Sequence, residues 1–180
     1  VILKVKEPLF NEAKGKHEID MMHSGQYLIT FIHPASPVNH TMVKNMAAKG
    51  VIGLTLDGVP RISRAQSMDA LSSMSTCAGY KGILMGANDI SKFMPLIGTA
   101  VGVIRPSNVL VIGTGVAGLR AVATAKSLGA VVYSADIRPS ANEQAMSLGA
   151  KIVPTGVPEE IAVRRVGIVE YAKKLPEEWL

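Results

Sequence analysis

Cysteine occurs once in the 180 residues, at Cys77. A disulfide framework and a thiolate metal cluster are therefore excluded, no metal site is expected, and a reducing compartment is the expected setting. Aromatic residues make up 4% of the chain, too few for the stacking surface that single-stranded nucleic acid requires. The net charge of +5 does not restore that reading. Lys and Arg are scattered from Lys4 to Lys174 and adjoin only at Arg164-Arg165 and Lys173-Lys174, which is a solvated surface rather than a binding stripe, so nucleic acid is not an expected partner. Long apolar runs are missing too. The best candidate, "FMPLIGTAVGVI" from Phe93 to Ile104, stops at Arg105-Pro106, short of the roughly 20 residues needed to cross a bilayer. No charged start leads into an apolar leader and cleavage site, so no signal peptide is expected.

What is present is material for a packed core. Hydrophobic residues are 48% and charged residues 18%, a globular balance. The first residues, "VILKVKEP", already read as a strand, and "LPEEWL" closes the chain within or just after a helical pattern. Both ends therefore suggest a fragment of an α/β protein, truncated at each end.

Periodicity gives the order of elements. Val1 to Val5 and Tyr27 to His33 read as strands. A helix follows around Thr41, with Asn39 or Thr41 as its cap and Gly50 as its stop, then a strand at Val51 to Leu56 and a turn at Asp57-Gly58. Strand, helix, strand at this spacing is a βαβ unit and implies a parallel sheet. A long helix of small residues, broken by glycines, is expected from about Ser67 towards Phe93. A Gly/Pro-containing bridge near 93–107 suggests two domains, 1–92 and 93–180. In the second, Asn108 to Gly113 is a near-continuous apolar strand of the kind covered on both faces. A helix runs from Val116 to Leu128 and a strand through "AVVYSAD". "SANE" (Ser140 to Glu143) has the form of a capping box opening the next helix. "KIVP" is a third strand, and the stretch from Pro158 to Leu175 reads as helical.

The strongest local motif is Gly113-Thr114-Gly115-Val116-Ala117-Gly118, a G-x-G-x-x-G placed directly after a strand and opening a helix. The first glycine permits the tight turn, the second lets backbone approach a pyrophosphate, and the third lets helix and strand pack closely. The pyrophosphate then meets unpaired N–H groups at the positive end of the helix dipole. Asp136 closes the next strand about 20 residues on, where an acid accepts hydrogen bonds from the adenosine ribose and disfavours a 2′-phosphate. Arg138, two residues later, could instead accommodate one.

A second stretch, "PRISRAQSMDALSS" (Pro60 to Ser73), concentrates Arg, Gln, Asp and Ser at an expected loop-to-helix junction. With Ser67 or a neighbour as cap, Asp69, Ser72 or Ser73, and Thr76 would share one helix face. Such a set could recognise a flat polar group such as a carboxamide with its ribose, or it could be ordinary helix capping. Spacing alone does not choose.

Together "PRISRAQSMDALSS", "AGYKG" and "VLVIGTGVAGLRAVATAKSLGA" resemble the NAD(H)-binding α subunit of the proton-translocating transhydrogenases, in a wider family that includes alanine dehydrogenase. The resemblance implies two Rossmann-like parallel-sheet domains joined by a long helix. It implies NADH as cofactor, NADP on a partner domain, and hydride transfer between them coupled to proton movement across a membrane. It further implies membrane-spanning and NADP-binding partner subunits, a homodimer, and a peripheral location on the cytoplasmic or matrix side. By that likeness Arg61, Ile62, Ser63, Arg64, Gln66, Ser67, Met68 and Asp69 surround the nicotinamide. Arg61 would bind the carboxamide, Gln66 would reach towards the second nucleotide, and Asp69 and Ser72 would orient the ring. Gly113, Thr114, Gly115, Val116 and Gly118 would hold the pyrophosphate, and Asp136, Ile137 and Arg138 the adenosine end.

Three departures qualify the likeness. "KVKEP" and "FIHPA" place Lys6 and His33 where alanine dehydrogenase has its pyruvate-binding lysine and catalytic histidine, which implies an alternative amino-acid oxidoreductase. Val169-Glu170 stand where the family has glycines before "YAK". The likeness also implies a second half of the NAD-binding sheet and a chain before Val1 that this sequence does not contain, and a non-catalytic NAD-binding remnant is a further alternative.

Overall fold

The computed structural model describes residues 1–60, 62–166 and 169–177, without the side chains of Ser63, Val166, Val169 and Glu170. Compactness divides the chain into two units, Val1–Leu71 and Ser72–Leu180.

The first unit is built on a parallel three-stranded sheet. Strand β1 (Ile2–Leu3) precedes a short antiparallel hairpin of β2 (Phe10–Asn11) and β3 (Lys16–His17). Then come β4 (Tyr27–Thr30), helix α1 (His40–Ala48) and β5 (Ile52–Thr55), with β4 at the centre of the order β1-β4-β5. Parallel pairing of β4 with β5 across α1 is the expected βαβ unit. Met42 and Met46, one helical turn apart, bury against Leu28, Ile32 and Val51. Gly50, with φ +72°, ends α1 in a conformation that favours glycine. Asn39 does stand at the cap position, but its amide reaches back to the carbonyls of Ile32 and His33 instead of capping the helix.

Residues Ser63–Met68 form a 3-10 helix that ends at Asp69, and α2 (Ala70–Asp89) begins one residue later. Ser67 is therefore not the cap of α2, and Asp69 precedes the first turn rather than lying in it. Asp suits that place because its short side chain competes with helical backbone hydrogen bonding. Nor do the glycines interrupt α2, which runs unbroken through Gly79, Gly82 and Gly86. At Gly79 the reason for glycine is packing, since a Cβ there would lie 2.1 Å from the Ala117 carbonyl oxygen. Ile83 and Ala87 pack on the second unit's core. These contacts take α2 into the second unit, so the division at Leu71/Ser72 falls ahead of the expected boundary at 92/93.

In the second unit a hairpin of β6 (Ile97–Thr99) and β7 (Gly102–Ile104) occupies the bridge. Next come β8 (Asn108–Ile112), α3 (Val116–Ser127), β9 (Val131–Ala135), α4 (Pro139–Ser147) and β10 (Lys151–Ile152), and the three strands pair in parallel in the order β10-β9-β8. Val111, Val122, Ala125, Val132 and Ala145 form the core under α3 and α4. Covering on both faces was expected of β8. Instead it is an edge strand whose Leu110 and Ile112 are 56% and 81% exposed.

Two further expectations are corrected. The capping box at Ser140 does not open α4: Pro139 takes the first helical position, where its preset φ and missing N–H fit, and Arg138 is the cap residue. Among the described residues, the stretch after Pro158 is helical only over α5 (Glu159–Ala162). It continues as an antiparallel pair, β11 (Val163–Val166) and β12 (Val169–Ala172), in keeping with the strand preference of its valines. Among the described residues no helix is long and apolar enough to cross a membrane.

Candidate functional site

The turn between β8 and α3 takes the shape its glycines allow. Gly113 has φ +84°, a left-handed conformation that strains any other residue. A Cβ at Gly118 would sit 1.9 Å from the Gly113 carbonyl oxygen, so only glycine lets α3 approach the strand this closely. Gly115 is the helix cap residue, and a Cβ there would meet nothing within 4 Å. The outside of the turn is thus open space facing the first N–H groups of α3, which lack intrahelical acceptors. That combination fits a pyrophosphate, and the turn accordingly fits a dinucleotide.

Thr114 faces the other way. It is 1% exposed, and both its N–H (2.7 Å) and its hydroxyl (3.2 Å) donate to Oδ2 of Asp136. The backbone N–H of Thr114 is therefore spent inside the protein, leaving those of Gly115 and Val116 for a ligand. Asp136 is 8% exposed and receives three more hydrogen bonds from Arg138. The Arg138 N–H and Nε donate to Oδ1 at 2.9 and 3.0 Å, and Nη2 donates to Oδ2 at 2.9 Å. Asn142 clamps the backbone of Asp136 by accepting from its N–H (3.2 Å) and donating to its carbonyl (2.8 Å). Burial opposes ionisation of Asp136, but the hydrogen bonds from Arg138 and Thr114 and the Arg138 charge outweigh it, and the carboxyl is lowered to about 2.

A lowered carboxyl stabilises the fold above its unfolded value, and that contribution is lost as pH falls through the folded one. Asp136 is therefore expected to contribute about 2 kcal/mol at neutral pH. A urea titration from pH 7 to pH 2 should show an Asp136→Asn variant losing its deficit relative to wild type below about pH 4.

The first unit holds a different arrangement. His33 has φ +48°, a strained backbone for a non-glycine residue. Asp57 holds it there: Oδ2 accepts the N–H groups of Ile32 (3.1 Å) and His33 (2.8 Å), and Oδ1 lies 2.7 Å from Nδ1 of His33. Burial disfavours the Asp57 charge, yet the Thr55 hydroxyl, the His33 N–H and the imidazole lower its carboxyl overall. His33 and Asp57 line a cavity of about 740 Å³ with Glu7, Ser36 and Asn39. Lys6 is not part of that lining, and its Nζ lies 3.5 Å from the Glu7 carboxylate. Asp57→Ala is expected to take the acceptor from the His33 N–H and from the Thr55 hydroxyl, while the Ile32 N–H keeps the Thr55 hydroxyl oxygen at 3.2 Å, and to cost about 1–3 kcal/mol in a denaturant melt.

Of the residues from Pro60 to Ser73, Arg61 and the side chain of Ser63 lie outside the described residues. Ile62, Arg64, Gln66, Ser67 and Met68 are exposed, whereas Asp69 is buried. Ser72 lies in the first turn of α2, and its carbonyl accepts the Thr76 hydroxyl at 2.9 Å. Ile137 is half-buried beside Asp136. Sequence reasoning missed Asp57, read only as a turn residue, and Asn142, read only as a member of a capping box. The most voluminous cavity described, about 1150 Å³, lies at the opposite end of β8 from the glycine turn, around Asn108 and Val109. Ligands of parallel sheets bind at the carboxyl ends of the strands, so the turn that follows β8 is the better candidate.

Residues 1–78 match the alanine dehydrogenase/PNT N-terminal domain and residues 82–175 match the C-terminal domain of the same family. The chain belongs to the alanine dehydrogenase/PNT family. Within that family it is 39% identical over 179 residues to an NAD(P) transhydrogenase subunit alpha protein of Rhodospirillum rubrum, covering 99% of this chain and 45% of that one. The crystal structure of transhydrogenase from Sinorhizobium meliloti superposes with a TM-score of 0.76 at 41% identity, over 86% of this chain and 44% of that one. An alanine dehydrogenase of Methanococcus maripaludis is more distant, 33% identical over 76% of this chain and 35% of its own length. The chain thus spans about half the length of the curated relatives it matches, or less.

Proposed function

We propose that this chain belongs to the NAD(H)-binding subunit of a proton-translocating transhydrogenase. In this reading it holds NADH for transfer to NADP+ carried by a partner domain, in a complex whose membrane-spanning portion moves protons. The observation that carries the reading is the turn at Gly113–Gly118, whose open outer side, inward Thr114 and anchoring Asp136 suit a dinucleotide. The likeness to transhydrogenase subunits across nearly the whole chain supports it, as does the "RISRAQSMD" motif.

The residues divide the work. Backbone N–H groups of Gly115 and Val116 hold the pyrophosphate at the start of α3, and Asp136, Ile137 and Arg138 receive the adenosine end. Arg61 and Asp69 orient the carboxamide end, with Ile62, Ser63, Arg64, Ser67, Met68 and Ser72 around it. Gln66, exposed on the 3-10 helix, faces the second nucleotide. The bound dinucleotide supplies the transferable hydride. Such a transfer needs no general acid or base, so the protein contributes alignment of two rings at near-attack distance and exclusion of water. The subunit is read as a homodimer, peripheral on the cytoplasmic or matrix side of the membrane.

The test is isotopic. Full-length protein mixed with its NADP-binding partner should pass deuterium from [4-²H]NADH to an NADP+ analogue without dilution by solvent. Label lost to water, or no transfer at all, would contradict the reading, and tight NADH binding with no transfer would favour a non-catalytic binding module. The His33–Asp57 pair favours one second reading, an alanine dehydrogenase-like amino-acid oxidoreductase with His33 as proton carrier and Lys6 as carboxylate partner. Alanine-dependent NADH formation lost in both His33→Ala and Lys6→Ala would establish that one instead.

A further inference from the structure

Asp136 carries more hydrogen-bond donors than a carboxylate free to accept ribose hydroxyls would. Five donors converge on its two oxygens, two from Thr114 and three from Arg138. A carboxylate offers about four lone-pair sites, so no capacity is left for ribose hydroxyls. The Thr114 donors are buried inside the glycine turn and cannot leave without opening it. The Arg138 N–H is fixed in the backbone at the cap of α4. Only Nε and Nη2 of the Arg138 side chain, which is 25% exposed, can be exchanged. They close a two-point, charge-assisted fork on the carboxylate, the strongest geometry an arginine has.

We propose that Arg138 is a specificity-determining residue of the adenosine subsite, a displaceable occupant that closes Asp136 against the ribose hydroxyls and, once displaced, offers its cation to a 2′-substituent. This rests on the dinucleotide reading of the glycine turn. Two consequences have opposite signs. A closed fork lowers apparent affinity for a ribose diol in proportion to its population, so a fork shut nine-tenths of the time costs about tenfold. The same guanidinium offsets the repulsion between Asp136 and a 2′-phosphate, so it raises tolerance for the phosphorylated nucleotide. Arg138 therefore narrows the selectivity that Asp136 alone would impose.

The experiment is calorimetric titration of the full-length subunit, without its NADP-binding partner, with ADP-ribose and with 2′-phospho-ADP-ribose. Arg138→Ala should tighten ADP-ribose about threefold to tenfold and weaken the 2′-phosphate about tenfold. Arg138→Lys keeps the charge without the fork. It should tighten ADP-ribose to a similar degree while leaving 2′-phosphate binding close to wild type. In the wild-type protein the Arg138 Nε–H resonance should be protected from exchange and lose that protection when ADP-ribose binds. This readout also decides the matter if the alanine variant does not fold. If Arg138→Ala weakens both ligands alike or changes neither, or if Nε–H protection survives saturation with ADP-ribose, the displaceable-occupant role is overturned while the dinucleotide site stands. If wild-type protein binds neither ligand, the dinucleotide reading falls and takes this role with it.

Discussion

Gly118→Ala is expected to be among the most damaging single-methyl changes in the protein. The added Cβ would lie 1.9 Å from the Gly113 carbonyl oxygen and 2.9 Å from its carbon, both backbone atoms that cannot rotate aside. Either α3 moves outward or Gly113 leaves its left-handed conformation, and both disturb the turn. Overpacking of this kind costs on the order of 3 kcal/mol. A displacement of α3 also carries away the N–H groups meant for the pyrophosphate, so NADH affinity should fall by about 100-fold or more. A thermal melt and a fluorescence titration with NADH check the two effects. Gly115→Ala is the control: its Cβ meets open space, so stability should hold while binding falls, because the methyl occupies the ligand's approach. Equal stability in both variants would contradict the packing role given to Gly118.

Asp136→Asn comes next in expected size. Asparagine is nearly isosteric, but its amide nitrogen presents hydrogens where Arg138 or Thr114 also donates. The fork from Arg138 is left without its counter-charge, and the Thr114 N–H inside the turn competes for a single remaining oxygen. Removing one partner of a mostly buried ion pair costs about 3 kcal/mol or more, on top of lost ribose binding. The variant should therefore lose NADH binding and stability together at neutral pH. Against Gly115→Ala, which separates the two, this tells the anchor from the ligand-facing atoms.

Much of this was legible in the sequence because it depends on local chemistry. The motif leads one to expect a left-handed φ at Gly113, open space at Gly115 and close approach at Gly118, and this geometry is found at all three. Parallel pairing in both units follows from strand, helix, strand spacing. What was not legible depends on long-range partners. Nothing in "TLDGV" signals that Asp57 will hold the strained His33 from 24 positions away. α2 runs through three glycines despite their low helix propensity, and only at Gly79 does contact with Ala117 require one. The valines after Ala162 fit a helical window by polarity, and strand preference prevails only where two such segments pair. Asn142 sat in a plausible capping box, and Pro139 shifted the helix start so that the amide was left for Asp136.

The central claim is that a dinucleotide lies on the Gly113–Gly118 turn with its adenosine end at Asp136. The most direct measurement is a crystal structure of the full-length subunit grown with NADH. The account predicts phosphate oxygens within hydrogen-bond distance of the Gly115 and Val116 N–H groups, Asp136 still bonded to Thr114, and the adenosine ribose at its carboxylate. Phosphates lodged elsewhere, for instance in the cavity beside His33 and Asp57, with the turn left empty, would contradict it.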